Sequence, residues 1–335
     1  MKSRITILFT VLSAAIAALF VVDLAIGSTS ISIGEVWAAL TGGECDGATR
    51  DIVLKIRLIK AIMAVLAGAA LAVSGLQMQT LFRNPLAGPY VLGVSSGASF
   101  GVALFLLGAP LLGLAASPTL QLLGTAGAAW IGSGLILLLV MALSRRIKDI
   151  MVILILGMMI GSAIGAVVEI LQYLSDENAL KSFVVWTMGS LGDITLAQLS
   201  FIAPIIIIGT ILSVTVIKPL NLLLLGESYA ITSGVNIKAV RSRVFISTTL
   251  LAGTITAFCG PIGFVGIAVP HLARMIFATS DHRVLIPASA LIGAVMMLLG
   301  DIISKLTLLP INTITALIGI PVVVYIVTRN RNLMQ

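Results

Sequence analysis

From Asn84 to Ser144 the chain carries no charged residue, a run of 61 positions. No water-facing surface can be built from such a run. It is long enough for two bilayer crossings of about 20 residues each. Ile150–Val168, Ile194–Ile217, Val284–Gly300 and Leu306–Thr328 are further charge-free runs. They are continuous rather than alternating, so they read as helices and not as barrel strands. Across all 335 residues only 10% are charged, against about 25% in soluble domains. The expected fold is all-α and polytopic, with about ten spans at 5–27, 52–81, 90–108, 120–143, 150–174, 197–217, 242–260, 261–278, 284–304 and 310–328. The eighth, interrupted by Pro270 and His271, is expected to be short or partly re-entrant. The first apolar stretch, Ile5–Val22, is too long for a signal-peptide core and no A-x-A site follows, so it reads as a retained span.

Ten spans put both termini on one side. With that side cytoplasmic, the inner segments hold 14 of the 20 basic residues, among them Arg4, Arg83, Arg145, Lys148, Lys218, Arg241, Arg274 and Arg331. This is the positive-inside bias. It accounts for most of the net charge of +7 and gives no reason to expect nucleic acid. Lys55, Arg57 and Lys60 break the bias at the outer start of the second span. They read either as interfacial anchors or as a patch for an acidic partner. Cys45 and Cys259 read as unrelated thiols. His271 and His282 lack a second ligand at metal spacing. Glu169 and Asp301 are acids near the outer ends of their spans, and Asp301 has Lys305 at i+4.

LAGAALAVSG (66–75) and LAGTITAFCG (251–260) share Leu, Ala, Gly, Ala and Gly at the same offsets. They fall in spans two and seven, which run in opposite directions, as an inverted repeat requires. Between Leu81 and Gly101, LFRNPLAGPYVLGVSSGASFG, the pairs Asn84-Pro85 and Gly88-Pro89 predict a stiff corner. Gly93, Gly97 and Gly101 then predict one smooth helix face for close packing in lipid.

GLQMQTLFRNPLAGPYVLGVSSGASFG resembles a signature of the permease subunits of ABC importers for iron–siderophores, haem and vitamin B12, the iron-chelate uptake (FecCD-like) family. Gly260–Ala294, Asn221–Arg241 and the C-terminal LPINTITALIGIPVVVYIV resemble that family's other signatures in order. The resemblance implies one transmembrane permease domain over 1–335, of the inverted-repeat importer fold. It would sit in a bacterial plasma (inner) membrane with both termini cytoplasmic. Its partners would be a second copy of itself, two ATP-binding subunits, a substrate-binding protein and membrane lipid. It binds no cofactor of its own in this reading, ATP and Mg lying on the partner ATPase; no G-x-x-x-x-G-K-[ST] occurs in the chain. Gly226, Glu227, Ala230 and Gly234 match the ATPase-coupling positions in the cytoplasmic loop 218–243. Arg57, Lys60 and Lys305 match binding-protein docking positions, and Met158, Met159, Ser162 and Gly165 match the translocation path. The implied cargo is an iron chelate, ferric siderophore or haem. Cobalamin is the alternative within the family, and an ion-coupled secondary transporter using Glu169 or Asp301 is the alternative outside it.

Overall fold

The computed structural model describes residues 2–27, 29, 31–109, 118–144, 146–147 and 149–329. Arg145, Lys148 and Arg331, which enter the orientation argument, lie outside the described residues. No strand occurs among the described residues. Seven helices among the described residues are long and apolar enough to cross a membrane: α1 (Lys2–Ala25), α3 (Gly47–Phe82), α5 (Pro118–Ser144), α6 (Ile150–Leu174), α8 (Leu196–Thr215), α11 (Ile237–Cys259) and α13 (His282–Thr307). Three shorter apolar helices complete the ten expected spans: α4 (Val94–Gly108), α12 (Val265–Phe277) and α14 (Ile311–Arg329). Between them lie α2 (Ile33–Thr41), α7 (Glu177–Thr187), α9 (Ile217–Leu224) and α10 (Glu227–Thr232), which are not spans.

The eighth span is short, as expected, but it is one uninterrupted helix with Pro270 inside it. Its 13 residues cover about 20 Å, less than a hydrocarbon core of about 30 Å. Left-handed backbone at Phe264 (φ 64°) and Ala278 (φ 49°) brackets it. The corner after α3 also differs in detail from the expectation. Arg83 turns the chain at φ 49°, and the Asn84 side chain accepts from the Leu86 N–H at 2.9 Å. Pro89–Leu92 form a single 3₁₀ turn. Gly93 is not on the helix face at all: it precedes the helix at φ 76°, a conformation glycine adopts without strain.

The chain forms two compact units. The first comprises residues 1–73, 190–204 and 262–335. Here α1 packs on α13, and Phe9 of α1 also meets Phe277 at the end of α12, 5.0 Å between rings. Gly68 of α3 meets Gly293 of α13 so closely that a Cβ on either would strike the other's carbonyl. The second comprises residues 74–189 and 205–261. Its α4 lies along α5, where a Cβ on Gly97 would come within 2.5 Å of the Gly132 carbonyl oxygen and one on Gly101 would strike that of Ala128. Gly253 of α11, the counterpart of Gly68 in the sequence echo, faces Ser133 of α5. The two units thus place the echo glycine alike, though only Gly68 meets backbone directly. In each, a helix carrying the echo packs its glycine on the long helix that follows a short one, α13 after α12 and α5 after α4. The echo is a structural repeat.

Outside the spans, Ser32 caps α2 and Glu35 returns two hydrogen bonds to it, from the Ser32 N–H and Oγ–H, each 2.8 Å. Those bonds hold the Glu35 carboxyl below the usual carboxylate range. The capping box is therefore intact at neutral pH, and its contribution fades only as pH falls through that lowered pKa.

Alanine at an exposed helical glycine ordinarily gains up to about 1 kcal/mol. Gly127→Ala, with nothing within 4 Å, should follow that rule. Gly97→Ala and Gly293→Ala should instead lose about 1–3 kcal/mol by overpacking, seen as lowered unfolding temperatures in detergent.

Candidate functional site

The segment from Lys218 to Arg243 folds as two short helices, α9 and α10, joined at Gly226, and its last residues, from Ile237, already begin α11. Gly226 has φ 123° and Gly234, beyond α10, has φ 84°. Both corners need glycine, since such backbone strains any L side chain. The inner faces of the two helices are anchored. Leu220, Leu223 and Ala230 enter a core with Phe82 of α3, Ile153 and Leu154 of α6, and Val244 and Phe245 of α11. Phe82 and Phe245 stack at 6.3 Å. Arg241, buried, pairs with Glu227 at 3.1 Å and donates to the Ile147 carbonyl at 3.4 Å. Arg83 donates to the Leu223 carbonyl at 3.4 Å. The outer faces are bare. Leu224, Leu225, Tyr229 and Ile231 are exposed, Leu225 by 66%. They stand among exposed Ser228, Thr232, Ser233, Asn236 and Lys238, and an apolar patch rimmed by polar residues marks an interaction surface.

Met158, Met159 and Ser162 lie on the exposed side of α6, with Gly165 half-buried beside them and nothing within 4 Å of where its Cβ would be. Ser162 turns its hydroxyl back to the Met158 carbonyl at 3.0 Å. The opposite side of α6, with Ile153, Leu154, Gly157 and Val168, is buried in its unit.

Arg57, Lys60 and Lys305 are not a free positive patch. Arg57, 4% exposed, donates to the carbonyls of Leu24 at 2.8 Å and Ala25 at 2.7 Å, and to Thr29. It caps the open C-terminal end of α1, where a cation is favoured. Gly27 leaves the room: a Cβ there would come within 2.6 Å of the guanidinium. Lys60 pairs with Asp301 at 3.0 Å. Lys305 reaches the other Asp301 oxygen at 3.0 Å and Asp23 Oδ1 at 2.9 Å. It also donates to the Asp23 carbonyl at 2.9 Å. Asp23 and Asp301 are 0% and 1% exposed. Two acids and two lysines therefore neutralise one another and tie α1, α3 and α13 together. The i,i+4 pair of Asp301 and Lys305 was legible in the sequence, but Asp23 was not singled out there. Its signal was an acid four residues before the end of the otherwise uncharged span 5–27.

The model of the FecCD transport family matches residues 15–329. The hemin transport system permease protein HmuU of Yersinia pestis is 37% identical over 91% of this chain and 90% of its own. The molybdate import system permease protein MolB of Haemophilus influenzae is 35% identical over 90% and 89%. The vitamin B12 import system permease protein BtuC of Vibrio cholerae is 35% identical over the same shares.

The chain belongs to the FecCD transport family.

A solved inward-facing structure of an ABC transporter assigned to the metal-chelate type superposes with a TM-score of 0.83 at 32% identity. It covers 97% of this chain and 99% of the other. This FecCD chain is thus an ABC importer permease and an integral membrane protein. Membership in the family overturns the ion-coupled reading, and Asp301, held between two lysines, offers no open proton carrier.

Removing one member of a buried ion pair leaves an uncompensated charge and costs about 3–5 kcal/mol. Lys305→Met should therefore lower the stability of the detergent-solubilised permease by about that much. Adding Asp23→Asn should cost less than the sum of the two single changes, a coupling read from a double-mutant cycle of unfolding temperatures.

Proposed function

We propose that this chain is the membrane subunit of an importer that carries an iron chelate from an external binding protein to the cytoplasm. It would act as a pair of identical copies driven by two separate ATPase subunits, in a bacterial inner membrane with both termini cytoplasmic. The observation that carries the reading is the apolar patch on α9 and α10, rimmed by polar residues and yet unpartnered in the chain. An ATPase needs a surface to grip, and Gly226, Glu227, Ala230 and Gly234 shape this one. Glu227 and Arg241 fix its orientation.

The core beneath the patch suggests how the grip is used. Leu223 and Ala230 share it with Ile153 and Leu154 of α6. A shift of the short helices on ATP binding or release would press on the inner half of α6, whose exposed side carries Met158, Met159 and Ser162. That side would line the path. ATP and Mg would be held by the ATPase, with no cofactor on this chain. The iron chelate is favoured by the hemin permease among the relatives; the molybdate and vitamin B12 permeases share the fold with other cargo.

The docking role of Arg57, Lys60 and Lys305 is retained in a narrower form. Their charges are satisfied internally, so they would shape the outer surface that a binding protein meets. Lys60, 20% exposed, is the one most able to touch a partner directly.

The test is reconstitution with the ATPase and the binding protein. Wild type should accumulate a ferric chelate only with ATP. Leu225→Asp and Tyr229→Asp should each cut ATPase retention and uptake at least about tenfold, since a buried charge at an interface centre costs upwards of 2 kcal/mol. Uptake that persists without ATP or survives both changes would refute the assignment of the patch.

A further inference from the structure

One end of the first unit carries large apolar side chains that no span accounts for. α2, at 9 residues, is about 14 Å long and too short to cross a bilayer. It has two apolar faces. Val36 and Ala39 are buried in a cluster with Leu24 of α1 and with Val53 and Ala61 of α3. Ile33, Trp37 and Leu40, at i, i+4 and i+7, form a second stripe that is exposed, Trp37 by 68%. The end of α13 adds another exposed group, Leu306, Leu308 and Leu309, with Leu308 open by 86%. Leu308 takes left-handed backbone at φ 59°, a strained conformation for leucine. The Ser304 hydroxyl holds this turn by donating to the Leu309 carbonyl at 2.6 Å.

The ion cluster gives the depth of both groups. Residues 61–82 of α3 are uncharged between Lys60 and Arg83 and run about 33 Å, close to a hydrocarbon thickness of about 30 Å. Lys60 therefore stands at the bilayer boundary, where charged side chains near helix ends settle. It pairs with Asp301, and Lys305 joins Asp301 to Asp23, so the ends of α1 and α13 reach the same boundary. The buried face of α2 shares its cluster with Ala61, the neighbour of Lys60, and Leu24, the neighbour of Asp23. Leu306 follows Lys305 directly. Both apolar groups are thus held at headgroup depth.

We infer that α2 and the turn at Leu306–Leu309 form an interfacial collar whose partner is the lipid surface, with Ile33, Trp37, Leu40 and the three leucines inserted between headgroups and acyl chains. A helix with an apolar stripe lies in the plane of that boundary, and the Trp37 ring suits it, an apolar body carrying one N–H donor. Lipid is the occupant because both groups adjoin the ends of membrane-crossing helices, α13 itself and α1, where Val21 and Val22 are exposed beside Asp23. The collar keeps Asp23 and Asp301 just beneath the headgroups. It needs no assumption about cargo or ATPase.

Trp37 is one of three tryptophans. The difference in emission between wild type and Trp37→Phe, each full-length in liposomes, isolates it without touching Trp130 or Trp186. That difference spectrum should be blue-shifted and hardly quenched by aqueous iodide. Lipids brominated high on the acyl chain should quench it about threefold more than lipids brominated near the chain end, as expected for a ring about 5–10 Å into the leaflet. Strong quenching by iodide would leave the stripe in water, open to an external protein, and overturn the proposal. A spectrum that neither iodide nor brominated lipid quenches would put protein, such as a second copy of the chain, over the stripe and overturn it as well. Leu308→Trp in the Trp37→Phe background, measured against Trp37→Phe alone, reads the turn. Quenching by the shallow bromines supports the collar there, and quenching by iodide overturns that half of it.

Discussion

Two helices in lipid gain little from hiding apolar side chains, because the alternative surroundings are equally apolar. Contact must then come from close approach, and close approach from missing side chains. Gly68 against Gly293 and Gly97 against Gly132 are such contacts, backbone on backbone. The rest of each unit depends on them. They set where α13 and α5 stand, and so where Asp301 and Lys305 on the one, and the α4–α5 wall behind α6 on the other, are placed. A methyl group at those points does not simply tighten the packing. It moves the helices that carry the charges.

The same lack of water governs the polar groups. Lys305, Asp23, Asp301 and Lys60 are held by one another, and Arg57 by the open end of α1. Such a cluster is a poor source of net stability, since desolvation takes back most of the attraction. Its value lies in specificity. Only one arrangement of α1, α3 and α13 satisfies all five groups, so the cluster fixes which helix ends meet. Dispersed over a water-exposed surface, the same charges would be screened and nearly indifferent to geometry.

Much of this was legible in the residues. Most of the ten spans follow from long apolar runs with few charges, because the bilayer sets a minimum length for a full crossing; the eighth, at 13 residues, falls short of it. The echo between 66–75 and 251–260 announced the repeat, and the two prolines announced the corner before α4. What the sequence did not disclose was of two kinds. Gly93 fits a helical spacing with Gly97 and Gly101, yet the 3₁₀ turn at Pro89–Leu92 makes it the turn residue before the helix; periodicity does not tell the first residue of a helix from the last residue of a turn. Arg57, Lys60 and Lys305 look like a basic patch because their acids are remote in sequence. Asp23 is 282 positions from Lys305, and no local pattern joins them.

The two units therefore treat charge differently. In the second, one ion pair, Glu227 with Arg241, orients a surface that stays apolar and open. In the first, where α1, α3 and α13 meet, charge is consumed internally and the helices are clamped. In the importer proposed above, α9 and α10 would serve as a compliant handle and the clamped helices as a firm frame. That handle shares its core with α6, with the C-terminal end of α3 at Phe82 and with α11. In the proposed importer, work done on α9 and α10 would pass to those three helices together, and α3 would carry part of it into the clamped cluster at its other end.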